Sequence, residues 1–259
     1  MASCFLLFLT NKKSTSKSLL ILNKILFYHL FCVYLSLSSL DHRNYFRLTP
    51  GLRKCRSLIF SHTHYRCCNL LQTFIMFFCV CSDACDLTLD PNTANTKLIL
   101  SEGNKKATRV EDKQSYPDHP ERFDHHEQVL CGESMTGRCY WEAEWSGMEV
   151  VISVTYKGIN RKGGSDCWFG YNDKSWSLFY SKNRSNVCHN NVSNTISAPS
   201  SCSNRVGVYL DWSAGTLSFY SVSDTHTLTH LHTFNTTFTE PLYTGIGVYG
   251  SSVSLCLYN

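Results

Sequence analysis

The chain has 259 residues, 43% apolar and 17% charged, with a net charge of +4. That length admits one large β domain plus a further segment, or two small domains, and the apolar fraction is ordinary for a globular protein. The charge is uneven: residues 1–85 carry ten Lys and Arg against two Asp, a net +8, whereas residues 86–259 carry fourteen against eighteen acidic residues, a net −4.

Only Gly51 of the 14 glycines, and none of the 5 tryptophans, precedes residue 86, so a boundary is expected near Cys85. The basic charges of residues 1–85 are scattered among apolar runs rather than clustered on a face. Nucleic acid is therefore not an expected partner. The segment is expected to be poorly folded or helical. Its run from Leu19 to Leu40 approaches the ~20 residues of a spanning helix, but Asn23, Lys24 and His29 interrupt it. A lysine at mid-span costs roughly 2.5–3.5 kcal/mol. Two readings stay open. One is a membrane anchor. The other is translated non-coding sequence, because Phe-, Leu-, Ser- and Cys-rich runs such as 74–82 are what pyrimidine-rich codons specify. His62, His64, Cys67 and Cys68 lack the spacing of a closed zinc site, and no metal is expected there.

Eight of the 14 cysteines lie in residues 1–85, and no C-x-x-C occurs. Cys131, Cys139, Cys167, Cys188, Cys202 and Cys256 are widely spaced. They read mainly as reduced, partly buried thiols of a cytosolic domain.

From residue 86 the pattern is that of strands and turns. Leu87 to Ala94 is a short extended piece ending in a Pro91-Asn92 turn. Lys97 to Ser101 and Lys105 to Val110 pair across Glu102-Gly103-Asn104. Glu111 to Gln128 is polar, holds Pro117 and Pro120, and forms a long surface loop. Its expected exposed candidates are Tyr116, Arg122, Phe123, His125 and His126. Loops of this length in compact domains are usually functional or disordered. Arg138 to Trp145 alternates, with Trp141, Ala143 and Trp145 facing inward. Glu142 and Glu144 then share the other face, read as the solvent side of an antiparallel strand rather than an acid–base pair.

Val150 to Tyr156 is apolar on both faces and is expected at the centre of a sheet. Lys157 to Asp166 is a basic, Gly-rich loop without the spacing of a phosphate loop. Cys167 to Tyr171 and Ser175 to Tyr180 read as two aromatic strands, with Trp176 and Leu178 inward and Phe179 and Ser181 on the opposite face. Ser181 to Ser203 reads as an irregular polar loop. Val206, Val208 and Leu210, then Leu217 and Phe219, alternate on either side of a turn ending at Gly215, which makes an antiparallel hairpin. His226, His230 and His232 fall on one side of a Thr-rich strand, its outer face. Tyr243 to Tyr249 and Val253 to Tyr258 supply the last strands. Sequons begin at Asn183, Asn191 and Asn235 and matter only in a secreted protein.

Four stretches now stand in order: L-D-P at 89–91, R-C-Y-W-E-A-E-W at 138–145, V-G-V-Y-L-D-W-S-A-G-T-L-S-F-Y at 206–220 and F-T-E-P-L-Y at 238–243. Together they resemble a PRY-SPRY domain over about residues 86–259. The resemblance is strongest to the fish versions that end tripartite-motif ubiquitin ligases and NOD-like receptors, and to the domain that ends stonefish toxin subunits. It implies an all-β, bent antiparallel two-sheet sandwich, with PRY over about 86–130 and SPRY over about 131–259. It also implies a non-catalytic, cofactor-free module that binds a protein ligand through variable loops, in innate immune recognition or in targeting a ligase or receptor. By position, the expected binding residues are Tyr116, Arg122, Phe123, Arg161, Lys162, Phe179, Ser181 and Arg184. Trp212, where the family more often has Tyr, is expected as a surface ring. The expected location is the cytoplasm; the alternative is a membrane-anchored or secreted effector.

Overall fold

Alternating apolar and polar residues, separated by turn residues, fold into strands throughout the computed structural model, which describes residues 83–147, 149–181, 184–197 and 203–256. The expectations for residues 1–82, including the run from Leu19 to Leu40 and the His62–Cys68 group, lie outside the described residues. In chain order the strands are β1 (Leu98–Ser101), β2 (Lys106–Arg109), β3 (Gln128–Met135), β4 (Arg138–Ser146), β5 (Glu149–Tyr156), β6 (Ser175–Ser181) and β7 (Ser185–His189). They continue with β8 (Val192–Ile196), β9 (Arg205–Asp211), β10 (Thr216–Val222), β11 (Leu228–Asn235), β12 (Leu242–Gly247) and β13 (Ser252–Cys256). One short 3-10 turn, Ser165–Cys167, is the helical exception among the described residues.

Two antiparallel sheets result. One runs β1-β2-β13-β4-β9-β10-β11, the other β3-β12-β5-β6-β7-β8. The expected hairpin forms, with Leu217 opposite Leu210 and Phe219 opposite Val208, and Val206, Val208, Leu210, Leu217 and Phe219 wholly buried. Its turn needs Gly215, whose φ is +69° and whose Cβ position would overlap the Thr236 carbonyl. The main core lies between the sheets. Trp141, Trp145, Val208 and Phe219 from one meet Ile152, Trp176, Leu178 and Tyr180 from the other, and Trp145 sets its ring edge-on to Tyr180 at 5.3 Å. β5 is buried on both faces and sits third of six, as its composition requires.

Several expectations are corrected. Residues 168–171 are a bend rather than a strand, because Gly170 takes φ +87° and turns the chain after the 3-10 turn. Much of 181–203 is a hairpin: β7 and β8 pair from Ser185↔Ile196 to His189↔Val192. Asn190 and Asn191 take φ +48° and +64°, the left-handed pair that a two-residue mirror-image turn requires. Glu142 is buried rather than solvent-facing, its carboxylate accepting from the Tyr140 hydroxyl at 2.7 Å and from Arg205 at 3.5 Å. The histidines do not share a face. His226 lies in a turn with φ +57°, and a bulge in β11 sets His230 opposite Tyr220 but His232 opposite inward-facing Phe219. Cys139 is not a free thiol but is joined to Cys85, with Cα atoms 5.6 Å apart, whereas Cys131, Cys167, Cys188 and Cys256 are free. Trp212 is half-buried against the core and donates to the Glu240 carbonyl at 3.0 Å.

Among the described residues no helix is long and apolar enough to cross a membrane. Nor does any group of three or more His, Cys, Asp or Glu there have the arrangement to hold a metal ion.

Candidate functional site

The outer face of β3, β12, β5 and β6 carries a second apolar cluster, separate from the main core. Phe123, Leu130, Val151, Ile159 and Phe169 are buried in it, with Phe179, Tyr243 and Tyr249 partly covered at its margin. Alternation explains the split: Leu178 faces the sandwich interior, so Phe179 must face away from it. The 111–127 loop and the 157–171 segment close over part of this face. Where they stop, a cleft of about 190 Å³ remains, lined by Val151, Trp168, Phe169, Tyr171, Ser177, Phe179, Arg184, Asn186 and Cys188.

The cleft has a stacked aromatic wall. Tyr171 lies on Trp168 at 4.4 Å and 10°, and His126 lies on the indole's other side at 5.3 Å and 15°. Burial raises the Tyr171 hydroxyl and keeps it a neutral donor at physiological pH. Burial, and next the neighbouring His125, lowers His126. Gly170 permits this wall, since a Cβ there would lie 2.6 Å from the Cys188 Cβ and overlap Ser177 Oγ. The floor is tied down, with Ser177 Oγ donating to the Phe169 carbonyl at 3.3 Å. The rim is cationic. Arg184 is exposed, and with the Asn186 amide oriented to donate to Thr195 Oγ1, its oxygen accepts from Arg184 Nε at 3.1 Å.

The eight residues expected to bind divide sharply. Phe179 and Arg184 line the cleft. Ser181 is buried and closes the turn between β6 and β7, its Oγ donating to the Arg184 carbonyl at 2.7 Å and accepting from the Arg184 amide at 3.0 Å. Arg122 and Phe123 are buried, which corrects their expected exposure. The Arg122 guanidinium donates to the carbonyls of Pro91 (2.8 Å), Ala94 (2.7 Å) and Pro117 (2.9 Å). It also lies 4.9 Å over Tyr116, whose hydroxyl donates to the Leu98 carbonyl at 2.8 Å. Phe123 meets Phe169 edge-on at 5.6 Å, beneath the Arg161 guanidinium at 4.8 Å. Arg161 is itself buried and donates to the carbonyls of Ile159 and Lys157. Of the basic loop's side chains, Lys162 is exposed, away from the cleft lining. Sequence reading missed Trp168, Tyr171 and Asn186 as site residues. The aromatic density of W-F-G-Y around a glycine was the available signal.

These features define an all-β sandwich with an aromatic cleft on one outer face and an arginine at its rim. Family models agree: SPRY-associated domain (PRY) matches residues 87–135 and SPRY domain matches 138–259. The chain belongs to the PRY-SPRY family. It is 51% identical over 161 residues to stonustoxin subunit beta of Synanceia horrida, covering 61% of this chain and 23% of the toxin subunit. It is 38% identical over 164 residues to tripartite motif-containing protein 16 of Mus musculus, covering 62% of this chain and 29% of that protein. Among solved structures, the TRIM65 PSpry domain superposes with a TM-score of 0.63 at 27% identity, over 69% of this chain and 93% of that one. The stonustoxin structure superposes at 0.61 with 46% identity, over 67% of this chain and 27% of the toxin. The chain thus spans about a quarter of the curated relatives it matches.

Proposed function

We propose that residues 87–256 form a non-catalytic module that grips a protein ligand at the cleft of Trp168, Tyr171, Phe179 and Arg184. The observation that carries this is the pairing of an aromatic wall with an exposed, oriented guanidinium on a rigid strand face. Aromatic rings and arginines set in partly closed pockets dominate the energetics of protein recognition. The cleft's volume suits one or two side chains, and its cation suits an acidic group beside them. The wider role is recognition in innate immunity, with the module as the targeting arm of a cytoplasmic tripartite-motif ligase or NOD-like receptor. The kinship with tripartite-motif proteins supports that reading.

A second reading rests on its own observations. The toxin subunits are up to 51% identical, and the Cys85–Cys139 disulfide suits an oxidising compartment. It makes the module the terminal part of a secreted effector. The test for the cleft is affinity purification with the full chain, in parallel with a Phe179→Ala, Arg184→Ala double variant and a Lys162→Ala control. Partners recovered by wild type and the control but lost by the double variant support the cleft; equal recovery by all three removes it. Non-reducing peptide mapping of the native protein separates the two locations.

A further inference from the structure

Each sheet has two edges, and three of the four are protected. The β3 edge is covered by residues 88–95: the Asp90 amide donates to Leu130, the Asn95 amide to Gln128, and the Gly132 amide to Thr88. β1 has four residues, flanked by a bond from the Val110 amide to Lys97 and crossed by the Tyr116 hydroxyl on Leu98. β11 carries the bulge that breaks its ladder. Bulges, short strands and covering segments are the usual means of blocking edge-to-edge pairing.

Among the described residues β8 has none of these. Its sequence is V-S-N-T-I, without charge, proline or glycine, and its register with β7 is unbroken over five pairs. Among the described residues its backbone bonds only to β7. The strand is exposed along nearly its whole length, and among the described residues Val192 is one of two large apolar residues that stand out in solvent, at 60% exposure. Val192, Asn194 and Ile196 face the same side as core residue Val187, the register partner of Asn194. Val192, paired with His189 across the β7 ladder, therefore stands in solvent on the core-facing side of the sheet.

The strand is also its own complement. An antiparallel pairing about Asn194 sets Asn194 against Asn194 of the second copy, Ser193 against Thr195, and Val192 against Ile196. Every pair is like with like, and no charge meets a charge. The pairing satisfies the free backbone groups and covers Val192 with an isoleucine.

We infer that β8 is a homotypic docking edge, through which two copies of this chain join their six-stranded sheets about a two-fold axis at Asn194. The axis is perpendicular to the sheet, so both clefts open on the same side of the joined sheet. Five residue pairs bury less than the roughly 1,000 Å² of a stable interface. The dimer is therefore weak and reversible in solution. It gains its effect on a multivalent target, where the second cleft binds at the effective concentration set by the first. The edge does not depend on what the cleft binds.

The test is sedimentation velocity of the full chain over a concentration series, beside Val192→Lys, an exposed edge position whose folding is checked by circular dichroism. Reversible dimerisation by wild type and its loss in Val192→Lys are expected. In parallel, Asn194→Cys is oxidised against Val192→Cys. Only residue 194 meets its own copy, at a Cα separation of about 4.5–5.5 Å, so it alone gives a covalent dimer above the wild-type background. A wild-type chain that stays monomeric, a dimer untouched by Val192→Lys, or equal cross-linking at 192 and 194 each overturns the inference.

Discussion

Two arginines on the same side of the six-stranded sheet show how one residue type serves opposite ends. Arg122 is drawn inside and donates to three carbonyls from two chain segments, so it fastens the 111–127 loop to the 91–94 turn. Arg184 stands at the mouth of the cleft, steadied by Asn186, with most of its guanidinium in solvent. The same holds for two phenylalanines: Phe123 is sealed under Arg161, while Phe179 is left half open. Polar loops beside a binding face are thus of two kinds. One kind is pinned by buried carbonyl bonds and cannot adapt to a ligand. The other leaves its side chains free at the end of short, rigid strands.

This division yields measurable differences. The largest effect is expected for Phe123→Ala, which empties a fully enclosed site and should cost about 3–5 kcal/mol in denaturant unfolding. Arg122→Ala should follow at about 2–4 kcal/mol, because three carbonyls, that of Ala94 buried, lose a charged donor. Arg122→Lys should recover little of it, since one ammonium cannot span the three acceptors. Arg184→Ala should change stability by less than about 0.5 kcal/mol yet weaken partner capture at least about tenfold. A reversal, with Arg184→Ala unfolding the protein and Arg122→Ala affecting only capture, would exchange the two roles.

A smaller effect concerns pH. Burial and His125 lower His126 in the folded protein, while Asp124, Glu127 and the Gly164 backbone partly oppose this. The unfolded chain then holds the proton more tightly. Stability is full above the ordinary value of 6.5 and is lost as pH falls from there through the folded value. His126→Asn should flatten that decline in thermal midpoints measured across the range. His232, lowered by burial and by His230, should add a decline of the same sign. Smallest of all is Lys162→Ala, expected within about 0.5 kcal/mol of wild type.

The strands from 87 onward were readable because most are half-buried, and a half-buried strand writes its burial into alternate residues. The hairpin around Gly215 and the central position of β5 came directly from that pattern. β7 and β8 escaped because S-N-V-C-H and V-S-N-T-I are polar by composition, although Asn190-Asn191 was a turn signal. The site was less legible. Arg122 and Glu142 belong to residue types that normally stay in water, and only tertiary contacts show which are internal. Phe179 was placed on the cleft face by alternation with inward-facing Leu178 alone, which requires no long-range knowledge. Trp168 and Tyr171 depend on a glycine bend that alternation cannot describe.

The pairing order has a consequence for how the chain is made. β2 and β4 are joined only through β13, and β3 reaches β5 only through β12. Neither sheet can be completed until residues 242–256 have left the ribosome, so the eleven strands before β12 wait without their closing partners during synthesis. Such distant closure predicts slow, single-step maturation and reliance on chaperones while it lasts. A nascent chain arrested before Ser252 should be digested by protease along its whole length, and one extended past Cys256 should be protected.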